Sequence, residues 1–281
     1  MHYPVMLSEC LQYLAVKPEG IYLDATAGLG GHTGAIARQL TAGFVISADR
    51  DPESLERARA NTTDVEGNIR FVNSRFSELA VALSRLGVEA VDGLLADLGV
   101  SRYQLTEAER GFSLMADGPL DMRMSRSEGT TAADLVNYAS ERDLADLIYR
   151  YGEERRARRI ARAIVRARPI RSTSHLARVV EEAVPRTGPI HPATLTFMAL
   201  RIAVNQEREE VESLLAALPD LVKPGGRVVV ITFMSIEDRQ VKQGFQQLAR
   251  SGAVRILTKH VVKPSEEEIR SNPPSRSAKV R

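Results

Sequence analysis

Residues 22–32 constrain the fold of this chain more than any other part of its sequence. The apolar run that ends at Leu23 predicts a buried strand, and Gly28, Gly30 and Gly31 predict a tight turn that opens a helix. The first N–H groups of such a helix have no internal acceptors, so they can face a ligand. A second apolar strand ends in Asp49, which is placed to accept hydrogen bonds from ribose hydroxyls. The pattern predicts a site for a cofactor that contains a nucleoside.

Two cofactors match this turn to different degrees. A dinucleotide site has the pattern G-x-G-x-x-G, but this chain has Thr33 at the third glycine position and Gly34 one residue late. S-adenosylmethionine sites usually have an acidic residue four positions before the first glycine, and Asp24 stands there. The sequence therefore favours S-adenosylmethionine over NAD, and we expect the Asp24 carboxylate to face the amino-acid end of the cofactor.

The composition is that of a globular protein. The chain has 281 residues, which is enough for two domains, and it is 43% hydrophobic and 26% charged. No apolar run reaches the roughly 20 residues of a membrane span, and the N-terminus has no signal-peptide pattern. Cys10 is the single cysteine, which excludes a disulfide framework and a zinc cluster. We expect a cytoplasmic protein without a bound metal.

Strand and helix patterns alternate over the first hundred residues, which predicts a parallel sheet. Residues 103–205 predict helices and loops without a strand. The alternation then returns with a helix (207–222), a turn (223–226), a strand (227–233), a helix (237–250), a strand (254–262) and a final antiparallel edge strand (278–281). The predicted fold class is α/β, a Rossmann-like methyltransferase sheet formed by residues 1–102 and 206–281, with 103–205 as an inserted helical domain. Because ligands of such sheets bind at the carboxyl ends of the strands, we expect the insert to recognise the substrate.

Asp97 ends the fourth predicted strand, where its carboxylate can accept a hydrogen bond from an amine substrate or from the cofactor. Gln104 follows within a few residues and offers both a donor and an acceptor. His32 lies in the glycine turn and is expected to contact the cofactor or the backbone rather than to act as a general base.

A loop at residues 109–124 contains glycines and a proline between apolar residues, which is typical of an ordered functional loop. Phe112 is expected either to stack on a base or to join the core of the insert, and Arg123 is a candidate contact for a phosphate. Tyr103 is a further candidate for stacking on a base.

Residues 150–171 contain nine arginines and only two acidic residues. Apolar residues recur there at helical spacing, so the pattern predicts an amphipathic helix with an arginine-covered outer face. Such a face is either merely solvated or binds nucleic acid, and its single sign of charge favours RNA. Arg155, Arg156 and Arg159 are the candidate RNA contacts.

The chain closely resembles the bacterial ribosomal small-subunit RNA cytosine-N4 methyltransferase family, often called MraW or RsmH. The resemblance runs from His2 to the C-terminus. It is carried by segments that include Gly28-Leu-Gly-Gly-His32, Asp97-Leu-Gly-Val-Ser101, Glu109-Arg-Gly-Phe-Ser113, Asp117-Gly-Pro-Leu-Asp-Met-Arg-Met124 and Arg201-Ile-Ala-Val-Asn205. Two departures stand out: Met234 replaces a usual histidine, and Arg102-Tyr103 replaces a usual serine-proline pair.

The resemblance implies an enzyme that methylates the exocyclic N4 amine of a cytidine near the decoding centre of small-subunit (16S) ribosomal RNA. The implied contacts to S-adenosylmethionine are Gly30, Gly31, His32, Asp49, Phe76, Asp97 and Gln104. We expect the assembled small subunit to be the substrate, with Asp97 as the candidate catalytic residue. Methylation of a small molecule or a protein, and cofactor binding without catalysis, are the competing functions. The oligomeric state is open, with a homodimer as one option.

Overall fold

The computed structural model describes residues 4–186 and 188–281. The start of the resemblance, at His2 and Tyr3, lies outside these residues. The strands are β1 (Ile21–Asp24), β2 (Phe44–Asp49), β3 (Ile69–Asn73), β4 (Val91–Asp97), β5 (Val222–Thr232) and β6 (Lys279–Val280). The helices are α1 (Leu7–Leu14), α2 (Gly31–Ala37), α3 (Pro52–Asn61), α4 (Leu79–Arg85), α5 (Arg102–Thr106), α6 (Ala132–Tyr138), α7 (Glu141–Gly152), α8 (Ala157–Arg166), α9 (Thr173–Ala183), α10 (Thr194–Asn205), α11 (Glu207–Leu221), α12 (Ser235–Arg250) and α13 (Glu266–Ser271).

The chain divides into two compact units. The first comprises residues 1–99 and 208–281, and the second comprises residues 100–207. These boundaries lie within three residues of those expected from the sequence.

The first unit contains a six-stranded sheet in the order β3-β2-β1-β4-β5-β6. Five strands are parallel, as the alternating pattern predicts, and only β6 runs antiparallel. The central strands are buried on both faces, which explains their nearly continuous apolar sequences. Because β2, β1 and β4 are neighbours and parallel, their carboxyl ends lie along one edge of the sheet.

The N-termini of the helices follow their sequence signals. Asp51 caps α3 by accepting a hydrogen bond from Glu53 N at 3.0 Å, and Pro52 occupies the first turn. In the second unit, Ser101, Thr131, Ser140 and Ser172 cap α5, α6, α7 and α9 in the same way.

The second unit has its own hydrophobic core. Its helices α7, α8 and α10 bury Ile148, Ile160, Ile164 and Leu200 in one cluster, and α8 presents its apolar stripe inward as the periodicity predicts. Among the described residues of 103–205, none belongs to a strand.

Two predictions of secondary structure in the first unit are wrong. Residues 254–262 form no strand, because the place beside β5 is taken by β6; only Val262 makes an isolated bridge, to Val280. Residues 223–226 do not precede the strand as a turn but lie within β5 as an irregularity, with Gly225 at φ +80°. The predicted final edge strand is confirmed as β6.

Among the residues that the structure describes, no helix is both long and apolar enough to cross a membrane.

Candidate active site

The glycine turn after β1 has a geometry that few side chains tolerate. Gly28 and Gly30 have φ angles of +51° and +84°. A Cβ at Gly30 would lie 3.0 Å from the Ala58 carbonyl oxygen and 3.0 Å from Thr62 Cγ2. The turn therefore needs glycine at Gly30 for both its backbone angles and its packing.

Asp49 anchors this turn to the end of β2. Its Oδ2 accepts a hydrogen bond from Gly28 N at 2.9 Å, and its Oδ1 accepts one from Asp51 N at 2.9 Å. Burial raises the pKa of Asp49 to about 6. Each carboxylate oxygen has two lone pairs, so acceptor capacity remains for a hydroxyl group of a ligand.

Asp24 lies inside the protein and not on the surface of the site. It is fully buried: its Oδ2 accepts from Thr33 Oγ1 at 2.6 Å, and its Oδ1 accepts from Thr26 N at 3.2 Å. Thr33 also bonds the Ser47 hydroxyl at 2.8 Å, so this residue ties α2 to two strands. The expectation that Asp24 faces the cofactor is therefore wrong, because the carboxylate is used to hold the turn. Burial raises its pKa to about 7.

Asp97 ends β4 and differs from the other two carboxylates. Its Oδ1 is buried and has no hydrogen-bond partner among the residues that the structure describes, although 26% of the side chain is exposed. Burial, followed by the charges of Asp24 and Glu237, raises the pKa of Asp97 to about 8. A buried acceptor without a partner is rare in a folded protein and indicates a place for a ligand or a proton.

His32 lies beside this carboxylate, with its Nδ1 4.0 Å from Asp97 Oδ2. Its Nε2 lies 3.1 Å from the Val5 carbonyl oxygen, which can only accept, so Nε2 carries a proton. The backbone contact predicted for His32 is confirmed.

Phe76 follows β3, next to the strand that ends in Asp49. It is partly exposed, packed on one side against the core of the sheet. An aromatic ring at this edge can cover a flat base.

Most of the candidate residues of the second unit already contact other residues of that unit. Gln104 is buried and caps α5, where its Oε1 accepts from Ser101 N at 2.9 Å. Phe112 is buried in the insert core, so it presents no ring to a ligand. Arg123 forms a two-pronged ion pair with Asp121 at 2.7 and 2.9 Å. Tyr103 is half-buried, with the Arg110 guanidinium 5.8 Å from its ring centre.

The arginine-rich helix is α8, and its arginines have different environments. Arg156 donates to Glu154 Oε1 at 3.1 Å and to the Pro185 carbonyl oxygen at 3.2 Å, so it secures the start of the helix. Arg155 and Arg159 are exposed and form no ion pair with a described residue. They are the members of the predicted set that remain available for an anionic partner.

Three residues that shape these sites carry no obvious signal in the sequence. Glu237 accepts hydrogen bonds from Phe233 N and Met234 N and faces Asp97 electrostatically. In the second unit, Arg110 is almost fully buried and donates to the Met124 carbonyl oxygen at 2.8 Å. Asn205 accepts from Met124 N at 2.8 Å and donates to the Met122 carbonyl oxygen at 2.7 Å. Arg110 and Asn205 could have been singled out from the sequence only because they lie in segments 109–113 and 201–205, which carry the family resemblance.

A parallel sheet with a glycine turn after β1 and acidic residues at the ends of β2 and β4 defines the class of α/β enzymes that bind a nucleoside cofactor at the carboxyl edge. Comparison with known proteins narrows the class: the model of the MraW methylase family matches residues 1–281, and the chain belongs to that family. It is a methyltransferase whose cofactor is S-adenosylmethionine.

Curated relatives match over the whole chain. A Solibacter usitatus protein named "Ribosomal RNA small subunit methyltransferase H" is 65% identical, with 100% of this chain and 98% of the relative covered. A protein of the same name from Acidobacterium capsulatum is 49% identical, with 100% and 97% covered. Among solved structures, an rRNA methylase from Streptococcus thermophilus matches at a TM-score of 0.48 and 11% identity, with 100% and 96% covered. Structural similarity at this level adds nothing to the family assignment.

The residues at this edge fit S-adenosylmethionine. Asp49 retains acceptor capacity, and Asp97 Oδ1 is a buried acceptor without a partner among the described residues. In the described part of the chain, no group of three or more His, Cys, Asp or Glu side chains could hold a metal ion.

Proposed function

We propose that this protein methylates the N4 amine of a cytidine in the ribosomal RNA of the small subunit, near the decoding centre. The names of the relatives support ribosomal RNA as the substrate, and the motif resemblance supports the cytosine amine. The observation that carries the chemistry is Asp97, whose buried, unpartnered Oδ1 is suited to an N–H donor.

The residues proposed to hold S-adenosylmethionine are Gly30, Gly31, His32, Asp49, Phe76, Asp97 and Gln104. When bound, the cofactor supplies a methyl group on a positively charged sulfur. Asp49 would accept from the ribose, Phe76 would cover the adenine, and the glycine turn would let the backbone approach closely. Gln104 has the weakest case as a cofactor contact in this set, because its Oε1 already accepts a hydrogen bond at the start of α5.

Asp97 is proposed to position the amine and to take its proton. The lone pair of the cytosine amine is delocalised into the ring, and a hydrogen bond from the amine to Oδ1 would orient it for in-line attack. When the new C–N bond forms and the donor's S–C bond breaks, the nitrogen has one proton too many. The carboxylate would accept that proton and could release it to solvent, because part of the side chain is exposed.

The insert is proposed to recognise RNA. Arg155, just before α8, and Arg159 on α8 would contact phosphates, and Tyr103 would stack on the target base. Arg156, Arg123 and Phe112 are less suited to RNA contacts than the sequence predicts, because each has a partner or a core position within the insert. We propose the assembled small subunit as the substrate form and the cytoplasm as the place of the reaction; a homodimer stays a prediction.

The test is methyl transfer from labelled S-adenosylmethionine to three acceptors: small subunits that lack the modification, naked ribosomal RNA, and bulk protein. Digestion of the RNA to nucleosides identifies the product. Label in N4-methylcytidine, with subunits preferred over naked RNA, is the expected result. Label in another nucleoside would disprove the position, and label in protein alone would disprove the substrate class.

A further inference from the structure

A cleft of about 450 Å³ opens in the second unit where the segment after α8 meets the first turns of α9. Its polar lining comes from Arg171, Ser172, Ser174, His175 and Arg178. The volume lies within the range of small-ligand sites. No part of the proposed methyl-transfer site contributes to it.

The cleft is strongly cationic. Residues 166–178 contain four arginines and no acidic residue. The exposed guanidinium groups of Arg171 and Arg178 line the cleft and form no ion pair with any described residue. A third, Arg168, donates to the Val136 and Ala139 carbonyl oxygens, so its charge is fixed beside the same segment.

His175 adds a neutral donor. Its Nδ1 lies 3.3 Å from Arg171 N and accepts from it, so the Nε2 of the neutral ring carries the proton. The start of α9 is not the binding group, because the protein's own Asp117 already occupies it and accepts from Ser174 Oγ at 2.6 Å. The hydrogen bonds from Ser174 and Ser172 hold the pKa of Asp117 below its usual range, so this carboxylate stays charged and opposes any anion placed near the two serines. The anion site is therefore defined by the arginine side of the cleft.

An exposed aromatic residue lies at the end of α6, a helix that is hydrogen-bonded to the segment leading into the cleft. Tyr138, at the end of α6, is 83% exposed. Its neighbour Asn137 holds the segment that leads into the cleft, with its side chain bonded to both the N–H and the carbonyl of Ile170 at 2.7 and 3.0 Å. Unpaired arginines together with an exposed ring are the combination that binds single-stranded nucleic acid.

We infer that this cleft binds a backbone phosphate of single-stranded RNA between Arg171 and Arg178, with the adjacent base stacked on Tyr138. It continues the cationic face of α8, which ends at Arg166. The inference rests on the proposed function, since it takes the RNA substrate as given, and it adds an anchoring site away from the reacting cytidine.

The test measures the affinity for small-subunit ribosomal RNA transcribed in vitro over a series of salt concentrations. Arg171→Gln with Arg178→Gln should weaken binding about tenfold near 0.1 M salt and reduce the salt slope by about 1, because the contact to one phosphate is lost. Tyr138→Ala should weaken binding without changing the slope, because stacking releases no counterions. Asp117→Asn should strengthen binding, because it removes the opposing charge.

The matched control is Arg85→Gln with Arg250→Gln, which removes the same charge from exposed positions on α4 and α12. It should leave affinity and slope nearly unchanged. If the double variant of the cleft behaves like this control while Arg155→Gln with Arg159→Gln lowers the slope, the cleft is not an RNA site and the proposed function stands. If the unaltered protein neither binds nor methylates ribosomal RNA, the proposed function fails first and this inference with it.

Discussion

Replacing Asp97 by asparagine should make the cofactor-free protein more stable and the enzyme much less active. The amide has nearly the same shape but cannot take the proton of the amine. General-base groups contribute about 10²- to 10⁴-fold to rate, so kcat should fall by that factor. The carboxylate is costly to the fold, because burial and two neighbouring acidic groups raise its pKa to about 8.

The size of the stability gain follows from that pKa. A rise from 3.8 to about 8 corresponds to at most ~6 kcal/mol at about 1.36 kcal/mol per unit. Because 26% of the side chain is exposed, water screens the charge, and we expect about 1–3 kcal/mol. A raised pKa means that the folded state holds its proton longer than the unfolded state does. The ionisation of Asp97 therefore costs the wild-type protein stability as the pH rises from about 4 to about 8, and the variant lacks this contribution.

Denaturant unfolding of both proteins at pH 5 and pH 9, without cofactor, measures this difference. The variant should exceed the wild type by more at pH 9 than at pH 5. Asp92→Asn is a matched control at the other end of β4. Partial burial would raise the pKa of Asp92, but hydrogen bonds from Ile21 N and Lys223 Nζ outweigh it and hold that pKa below its usual value. This control should therefore lose stability at pH 9 and keep its activity. Equal stability of Asp97→Asn and wild type at pH 9 would refute the buried-charge argument, and full turnover would refute the proton-acceptor role.

Three further predictions concern the same two units. The kcat/KM of the wild type should rise with pH with a midpoint near 8, as Asp97 loses its proton, whereas any residual rate of Asp97→Asn should lack this limb; a flat wild-type profile would contradict the assignment. Gly30→Ala should destabilise the protein by about 1–3 kcal/mol and weaken cofactor binding, measured by thermal unfolding and calorimetry, because φ +84° and the Ala58 carbonyl oppose a Cβ; unchanged stability would show that the turn can relax. Asn205→Ala should cost about 2–4 kcal/mol and expose residues 120–124 to proteolysis, because Met122 O and Met124 N lose their buried partner; an unaltered cleavage pattern would show that Arg110 holds this loop alone.

The parallel sheet and the glycine turn could be predicted because local pattern and tertiary role agree there. Apolar runs of strand length, a proline at the start of α3 and serine or threonine caps each specify one structure. The strand predicted at residues 254–262 failed for a non-local reason: strand propensity does not reveal that the C-terminal residues occupy the free edge of β5.

The candidate site was predictable in position but less so in role. The ends of parallel strands share one edge, so Asp49 and Asp97 could be placed together from the sequence alone. Whether a polar side chain serves a ligand or the protein depends on partners that lie far away in the sequence. The Asp24 carboxylate accepts hydrogen bonds from Thr33 and Thr26, and only the structure shows these contacts.

The acidic residues that end β1, β2 and β4 accept different numbers of hydrogen bonds from the protein, and their roles differ accordingly. Asp24 receives three hydrogen bonds, from Thr26 and Thr33, and fixes the turn; Asp49 receives two from backbone N–H groups and joins the turn to β2. Asp97 Oδ1 receives none from the described part of the chain, so a ligand can supply the hydrogen bond that stabilises it. Burial, followed by the charges of Asp24 and Glu237, raises the pKa of Asp97, so the environment that makes this carboxylate costly to the fold also suits it to accept a proton near neutral pH.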